Sequence, residues 1–134
     1  MFIEKYEEYH RNVWPEVIES LKSIGINRME IGCLVNASVC RDFLEPATAS
    51  LVHDILKLSQ NTLVFDISNA CLGVLNGMVY VANMIELGQI RAGLVVAGEN
   101  GGPLVDATIE SMLDKPELTR NDIKASFASL TIAS

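Results

Sequence analysis

The sequence predicts an α/β fold: a mostly parallel sheet with helices on both faces. Three observations point to it. Short branched or aromatic runs at 30–35, 62–67 and 92–97 alternate with stretches of helical periodicity, and strands that alternate with helices imply right-handed crossovers between parallel strands. The run 92–97 is apolar without a break, as a strand covered on both faces should be. At 134 residues, 49% hydrophobic and 20% charged, the chain fits one packed globular unit.

Each element has a local reason. Tyr6, Tyr9, Val13, Val17 and Leu21 recur every three or four positions, the stripe of an amphipathic helix. Pro15 suits a first turn and not a helix interior, so a firm helix runs from Pro15 to about Ser23, stopped at Gly25, behind a frayed or separate opening segment. A strand follows over 30–35 and carries Cys33. After a polar loop, Pro46 takes a first helical position, and Ala47, Leu51, Val52, Ile55 and Leu58 continue to about Ser59. The second strand, 62–67, leads through Ser68-Asn-Ala to a helix starting at or near Cys71 and stopping at Gly88. That helix is apolar nearly all round, which predicts central burial. The third strand precedes a glycine-rich loop, a helix over 104–113, a turn over 118–122 with Thr119 or Asn121 as cap, and a last helical stretch over 123–130. The final residues climb in hydrophobicity, as though another core element should follow.

Composition excludes several function classes. Ten basic residues against 17 acidic give −7, opposite to the surplus that attracts phosphate backbones, so nucleic acid is not an expected partner. No apolar run approaches the ~20 residues of a spanning helix, and the opening Met-Phe-Ile-Glu-Lys-Tyr-Glu-Glu lacks the pattern of a secretory signal. A cytoplasmic location is expected. Cys33, Cys40 and Cys71 make an odd count without a Cys-x-x-Cys pair, so neither a disulfide framework nor a metal site is expected. Cys33 and Cys40 are read as structural. Gly98-Glu-Asn-Gly-Gly-Pro lacks the order of a dinucleotide loop, and Arg41 and Arg91 match no phosphate-binding motif.

Cys71 has the setting of a reactive thiol, behind a strand and a tight turn and at the mouth of a helix. There the helix dipole places roughly +0.5 charge, which favours thiolate, and unpaired backbone N–H groups are available to an oxyanion. The other reading of a lone cysteine is a small buried hydrophobe. Glu45, just before Pro46, either complements the dipole of its own helix or serves as a base.

The segment Phe65-Asp-Ile-Ser-Asn-Ala-Cys-Leu-Gly-Val-Leu-Asn-Gly-Met resembles the active-cysteine segment of the thiolase superfamily, in particular condensing enzymes of the ketoacyl synthase III kind. Downstream, Ile85-Glu-Leu-Gly-Gln-Ile-Arg-Ala-Gly-Leu-Val-Val-Ala-Gly-Glu resembles the following helix end and strand. Upstream, Asn36-Ala-Ser-Val-Cys-Arg-Asp-Phe-Leu-Glu-Pro-Ala-Thr-Ala is similar to the OleA branch, which joins two fatty acyl-CoA molecules. The resemblance covers roughly 20–134, leaving 1–19 unassigned. It implies a thiolase-like layered fold, here the cysteine-bearing part of one half. It also implies Cys71 as acyl-accepting nucleophile and Glu45 as the glutamate that reaches across a dimer as base. Asn69 and Gly73 are read as turn-shaping. No cofactor is implied, since coenzyme A enters as the substrate's thioester; acyl-CoA or acyl carrier protein is the implied partner, with a second copy or a chain bearing the other half. The family's histidine and asparagine come from its second half. His10 and His53 match no such motif. The implied reaction is a Claisen condensation of acyl-CoAs; the alternatives are a decarboxylating synthase and an inactive remnant that only assembles.

Overall fold

The computed structural model describes residues 15–41 and 44–131. A first helix, α1, occupies 15–23 and ends in a turn at Gly25, whose φ of +72° is left-handed and free of the Cβ penalty. Leu21 is buried, and Val17 and Ile18 pack on the same core. Tyr6, Tyr9, Val13 and His10, with the frayed opening segment, lie outside the described residues. A short 3₁₀ helix, Arg28–Glu30, takes the first residue assigned by sequence to the strand. Its capping box explains why: Met29 N–H donates to Asn27 Oδ1 at 2.9 Å while Asn27 N–H donates to Glu30 Oε2 at 3.2 Å.

Three strands follow, β1 (Ile31–Asn36), β2 (Leu63–Asp66) and β3 (Ala92–Val96), in the order β2-β1-β3 and parallel throughout. The central strand β1 separates two cores. Leu34 faces α1 and α2 (Thr48–Leu56), together with Ala49, Val52 and Leu56, whereas Cys33 and Val35 face Val81 of α3 (Gly73–Glu86). Ile31 lies on Leu34's side despite its odd spacing. The register runs Ile31 to Ala92 and then Cys33 to Gly93, so Gly32 is one extra residue that shifts the alternation.

Helix α3 lies unusually close to the sheet. Its buried residues, Gly73, Gly77 and Val81, recur every four positions, one straight line down the helix. A Cβ on Gly77 would stand 2.9 Å from Val95 Cγ1, and one on Gly93 would stand 2.5 Å from Val81 Cγ1. Gly73 is a further position of close approach, since a Cβ there would meet the Ala37 carbonyl oxygen at 3.3 Å.

Central burial of α3 is not observed among the described residues. Only the glycine line is covered, while Leu72, Leu75, Met78 and Val79 are more than half exposed. The sheet is one layer, and within the described residues nothing packs on the helix's far side. Pro46 also departs from expectation: α2 begins at Thr48 behind Ala47, and the Glu45–Pro46 peptide bond is cis. The helix starts there because a remote carboxylate, Asp66, receives its first amides.

Beyond β3, α4 (Gly102–Leu113) carries Pro103 in its first turn, so it begins two residues ahead of the predicted start. Helix α5 (Arg120–Thr131) packs on α4. Thr119 is its cap, accepting from Asp122 N–H at 3.3 Å while its own N–H donates to Asp122 Oδ2 at 2.9 Å. The Lys115 ammonium and Thr119 hold the Asp122 carboxyl far below the ordinary carboxylate range.

The α3–sheet contact yields a stability prediction. Replacing Gly93 with Ala should lower unfolding free energy by about 1–3 kcal/mol, because the stiff β-branched Val81 gives way only at a cost. Urea titration should show that loss partly recovered when Val81→Ala is added.

Candidate functional site

The C-terminal ends of the three parallel strands and the loops after them carry a set of polar side chains, Asn36, Ser38, Asp66 and Glu99. In open α/β sheets ligands bind outside these ends, where the strand order reverses, and the step from β2 across β1 to β3 makes such a reversal here. Backbone bonds carry the ladder past the strands: Ile67 N–H donates to Asn36 O at 2.8 Å and Ala37 N–H to Val96 O at 2.7 Å.

Cys71 sits in this region, exposed, two residues before α3 begins. The turn that delivers it is tight. Asn69 and Cys71 form an isolated bridge, Leu72 N–H donates to Asn69 O at 2.9 Å, and Ala70 between them has φ +43°. A left-handed alanine costs roughly 1–2 kcal/mol relative to its usual conformations, and strain of this kind gathers at functional turns. Asn69 shapes the turn further, donating through Nδ2 to Asn76 Oδ1 at 2.6 Å. No side chain caps α3, so the amides of its first turn carry no such partner beside the cysteine.

The other two thiols are committed elsewhere. Cys33 is fully buried and its pKa is raised by burial. Burial, then the neighbouring Glu99 charge, push the Cys40 thiol up as well. Among the described residues no cluster of three histidine, cysteine or acidic side chains stands ready for a metal ion.

Glu45 is exposed and joins no hydrogen bond or ion pair among the described residues. The local role that sequence offers it, complementing its own helix, is filled by Asp66. That carboxylate is the last residue of β2 and only 6% exposed. Its Oδ2 accepts from Thr48 N–H at 2.9 Å and from Arg41 Nη1 at 2.8 Å, and its Oδ1 accepts from Ala49 N–H at 2.9 Å. Burial alone would raise the Asp66 pKa, but the bonds from Ala49, Arg41 and Thr48 outweigh it and hold the carboxyl below its ordinary range. Glu99 clamps the neighbouring loop in the same manner, accepting from Val39 N–H at 2.8 Å and Cys40 N–H at 2.6 Å. Ser38 completes the set, with Oγ donating to Asn36 Oδ1 and accepting from Gly98 N–H, each at 2.9 Å.

Sequence reasoning did not single out Asp66, Glu99 or Ser38. A charge closing an otherwise apolar strand, Leu63-Val-Phe-Asp, was the available signal for Asp66. Arg41 and Arg91 are each engaged within the fold, Arg41 with Asp66 and Arg91 with Glu30, both at 2.8 Å. His53 is half-buried, its Nε2 2.8 Å from Ser59 O. No helix of the described residues is long and apolar enough to cross a membrane.

Comparison with known proteins gives two family matches. The model for 3-oxoacyl-[acyl-carrier-protein] synthase III matches residues 65–113, and that for L-rhamnose mutarotase matches residues 1–37, which include the segment left unassigned by sequence. The acyl-CoA:acyl-CoA alkyltransferase of Shewanella oneidensis is 47% identical over 113 residues, or 84% of this chain and 32% of the relative. That of Xanthomonas campestris is 43% identical over 110 residues, 82% of this chain and 32% of the relative. The chain thus spans about a third of the length of the curated relatives it matches. A crystal structure of Xanthomonas campestris OleA superposes with TM-score 0.72 at 38% identity, covering 87% of this chain and 36% of that one. Others in that series have its glutamate replaced by glutamine, its histidine by asparagine, or its cysteine by serine with lauric acid and lauroyl-CoA bound. The replaced glutamate stands 26 positions before the replaced cysteine, the separation of Glu45 from Cys71.

The Asp66 clamp makes stability depend on pH. Because the folded carboxyl has a lowered pKa, its contribution is present above the ordinary value of 3.8 and is lost as pH falls through the folded value. Asp66→Asn should therefore destabilise by about 2 kcal/mol at pH 7, with the gap to wild type closing steadily below about pH 4 in denaturant titrations.

Proposed function

From the premise that the chain belongs to the thiolase superfamily, among condensing enzymes of the OleA and ketoacyl synthase III kind, we propose that it takes part in joining two fatty acyl-CoA molecules, with Cys71 as nucleophile and Glu45 as base. The observation that carries this reading is the exposed Cys71 at the mouth of α3, 26 positions after an uncommitted Glu45.

The chemistry follows from those placements. The Cys71 thiolate attacks the acyl-CoA carbonyl, and the oxyanion that forms is stabilised by first-turn amides of α3. Collapse expels coenzyme A thiolate and leaves the acyl group on sulfur. Glu45, reaching across the dimer as the resemblance implies, removes a proton from the carbon next to the carbonyl of a second acyl-CoA, and the carbanion attacks the thioester on Cys71 of the partner subunit. The new carbon–carbon bond forms as the cysteine thiolate leaves, giving a 3-oxoacyl-CoA product. Two steps of moderate difficulty replace one that is hard.

The family's histidine and asparagine come from elsewhere. In the OleA series the replaced histidine lies 142 positions after the cysteine, outside the third of the relatives' length that this chain matches. The proposed reaction, in the cytoplasm, also uses those groups, brought by a second polypeptide or a further segment. The apolar far side of α3, with Leu75, Met78 and Val79 open to solvent, supports association with that chain or with a second copy.

Intact mass after incubation with lauroyl-CoA tests the nucleophile. Wild type should gain one lauroyl group and Cys71→Ser none; no gain on wild type, or equal gain on both, overturns the reading. With the partner chain present, Glu45→Ala should slow condensation by about 10²–10⁴-fold while Cys71 still acylates. Retained condensation with a malonyl thioester would instead favour the decarboxylating route, in which loss of carbon dioxide generates the carbanion.

A further inference from the structure

We infer that Asp66 is the positioning residue for Glu45, holding the segment that carries it from both sides against the strand that leads to Cys71. The inference rests on Glu45 being the base.

The geometry is specific. Arg41 precedes Glu45 by four residues, Thr48 follows it by three, and both bind the same Asp66 oxygen, at 2.8 and 2.9 Å. Ala49 occupies the other oxygen at 2.9 Å. Asp66 is itself fixed in register, paired with Asn36 of β1, and Cys71 lies five residues further along the same chain segment. One carboxylate thus links the exit of β1, the start of α2 and the run-up to the cysteine.

A helix cap alone does not explain this arrangement. Capping α2 requires only the Thr48 and Ala49 amides, and a serine or aspartate at position 47 would do that locally; the chain has Ala47 there, which offers no side-chain acceptor. The Arg41 guanidinium has no part in a cap. Its bond to Asp66 ties down the far side of Glu45, and a charged hydrogen bond with a 6%-exposed carboxylate is directional and short. Substrate-positioning groups of this kind matter because an ångström of misplacement at a base costs as much as ~10²-fold in rate.

The two roles separate in the double variant Asp66→Asn with Ala47→Ser. Serine restores a cap to α2 but carries no charge to hold Arg41. If Asp66 positions Glu45, the urea midpoint should return most of the way to wild type, while the backbone NMR order parameters at Leu44, Glu45 and Ala47 fall from wild type toward the flexible range below about 0.6. In the assembly with the partner chain, kcat for condensation should stay about tenfold low with KM moved less than twofold. Wild-type order parameters at those residues in the double variant would overturn the inference, leaving Asp66 a cap. Because relaxation needs no turnover, this arm decides the matter even if Cys71 never acylates and the proposed function fails; Arg41→Ala should reproduce the lower order parameters, and wild-type values there would equally overturn it.

Discussion

Everything at the candidate site depends on how closely α3 can approach the sheet. Gly73, Gly77 and Gly93 remove the Cβ atoms that would otherwise hold helix and strands apart, and Val81 fills the space beside Gly93. With a methyl group at any of these positions the helix would have to tilt or retreat by a few tenths of an ångström or more. Its N-terminus would then leave the strand ends, and Cys71 with it. Dense packing is what turns a one-carbon change on the sheet into a displacement at the thiol.

The same helix shows why chemistry and packing diverge along this chain. Its sequence is apolar on every side, yet only the narrow glycine line is buried among the described residues. The α1–α2 side of the sheet behaves otherwise: Leu34, Ala49, Val52 and Leu56 form a closed core. An apolar pattern records what a surface is suited to touch. It does not say whether the partner belongs to the same polypeptide. Here the far side of α3 carries Leu72, Leu75, Met78 and Val79, a surface larger and more contiguous than isolated exposed residues require.

What was legible in the sequence followed from local rules. The three strands, the parallel order and the position of Cys71 at a strand-to-helix turn all rest on periodicity and turn chemistry that act over a few residues. The start of α2 was misplaced at Pro46 because its cap comes from Asp66, 18 residues downstream of Thr48, and no nearby residue reveals it. Glu99 bonds to Val39 and Cys40 across about 60 positions, beyond any local signature. The offset at Gly32 was equally hidden, since a glycine in an apolar run reads as a weak strand position until pairing shows the extra residue. Cys71 and Glu45 were singled out by resemblance; the carboxylates that organise the loops at the strand ends, Asp66 and Glu99, required coordinates.

Those carboxylates also explain why one acid and not another suits the role of base. Three described ones stand in or next to the loops at the strand ends: Glu45, Asp66 and Glu99. Asp66 receives two amides and a guanidinium, which lower its pKa and leave it a poor acceptor of a substrate proton. Glu99 spends both oxygens on the amides of Val39 and Cys40, so protonating it would break the loop it holds. Glu45 and Glu99 are both exposed, and of the three Glu45 alone is engaged by no described partner. Two acids anchored by the backbone and one left uncommitted beside them is the division of labour that general-base catalysis requires, because a group that already supports the fold cannot change charge without disturbing it.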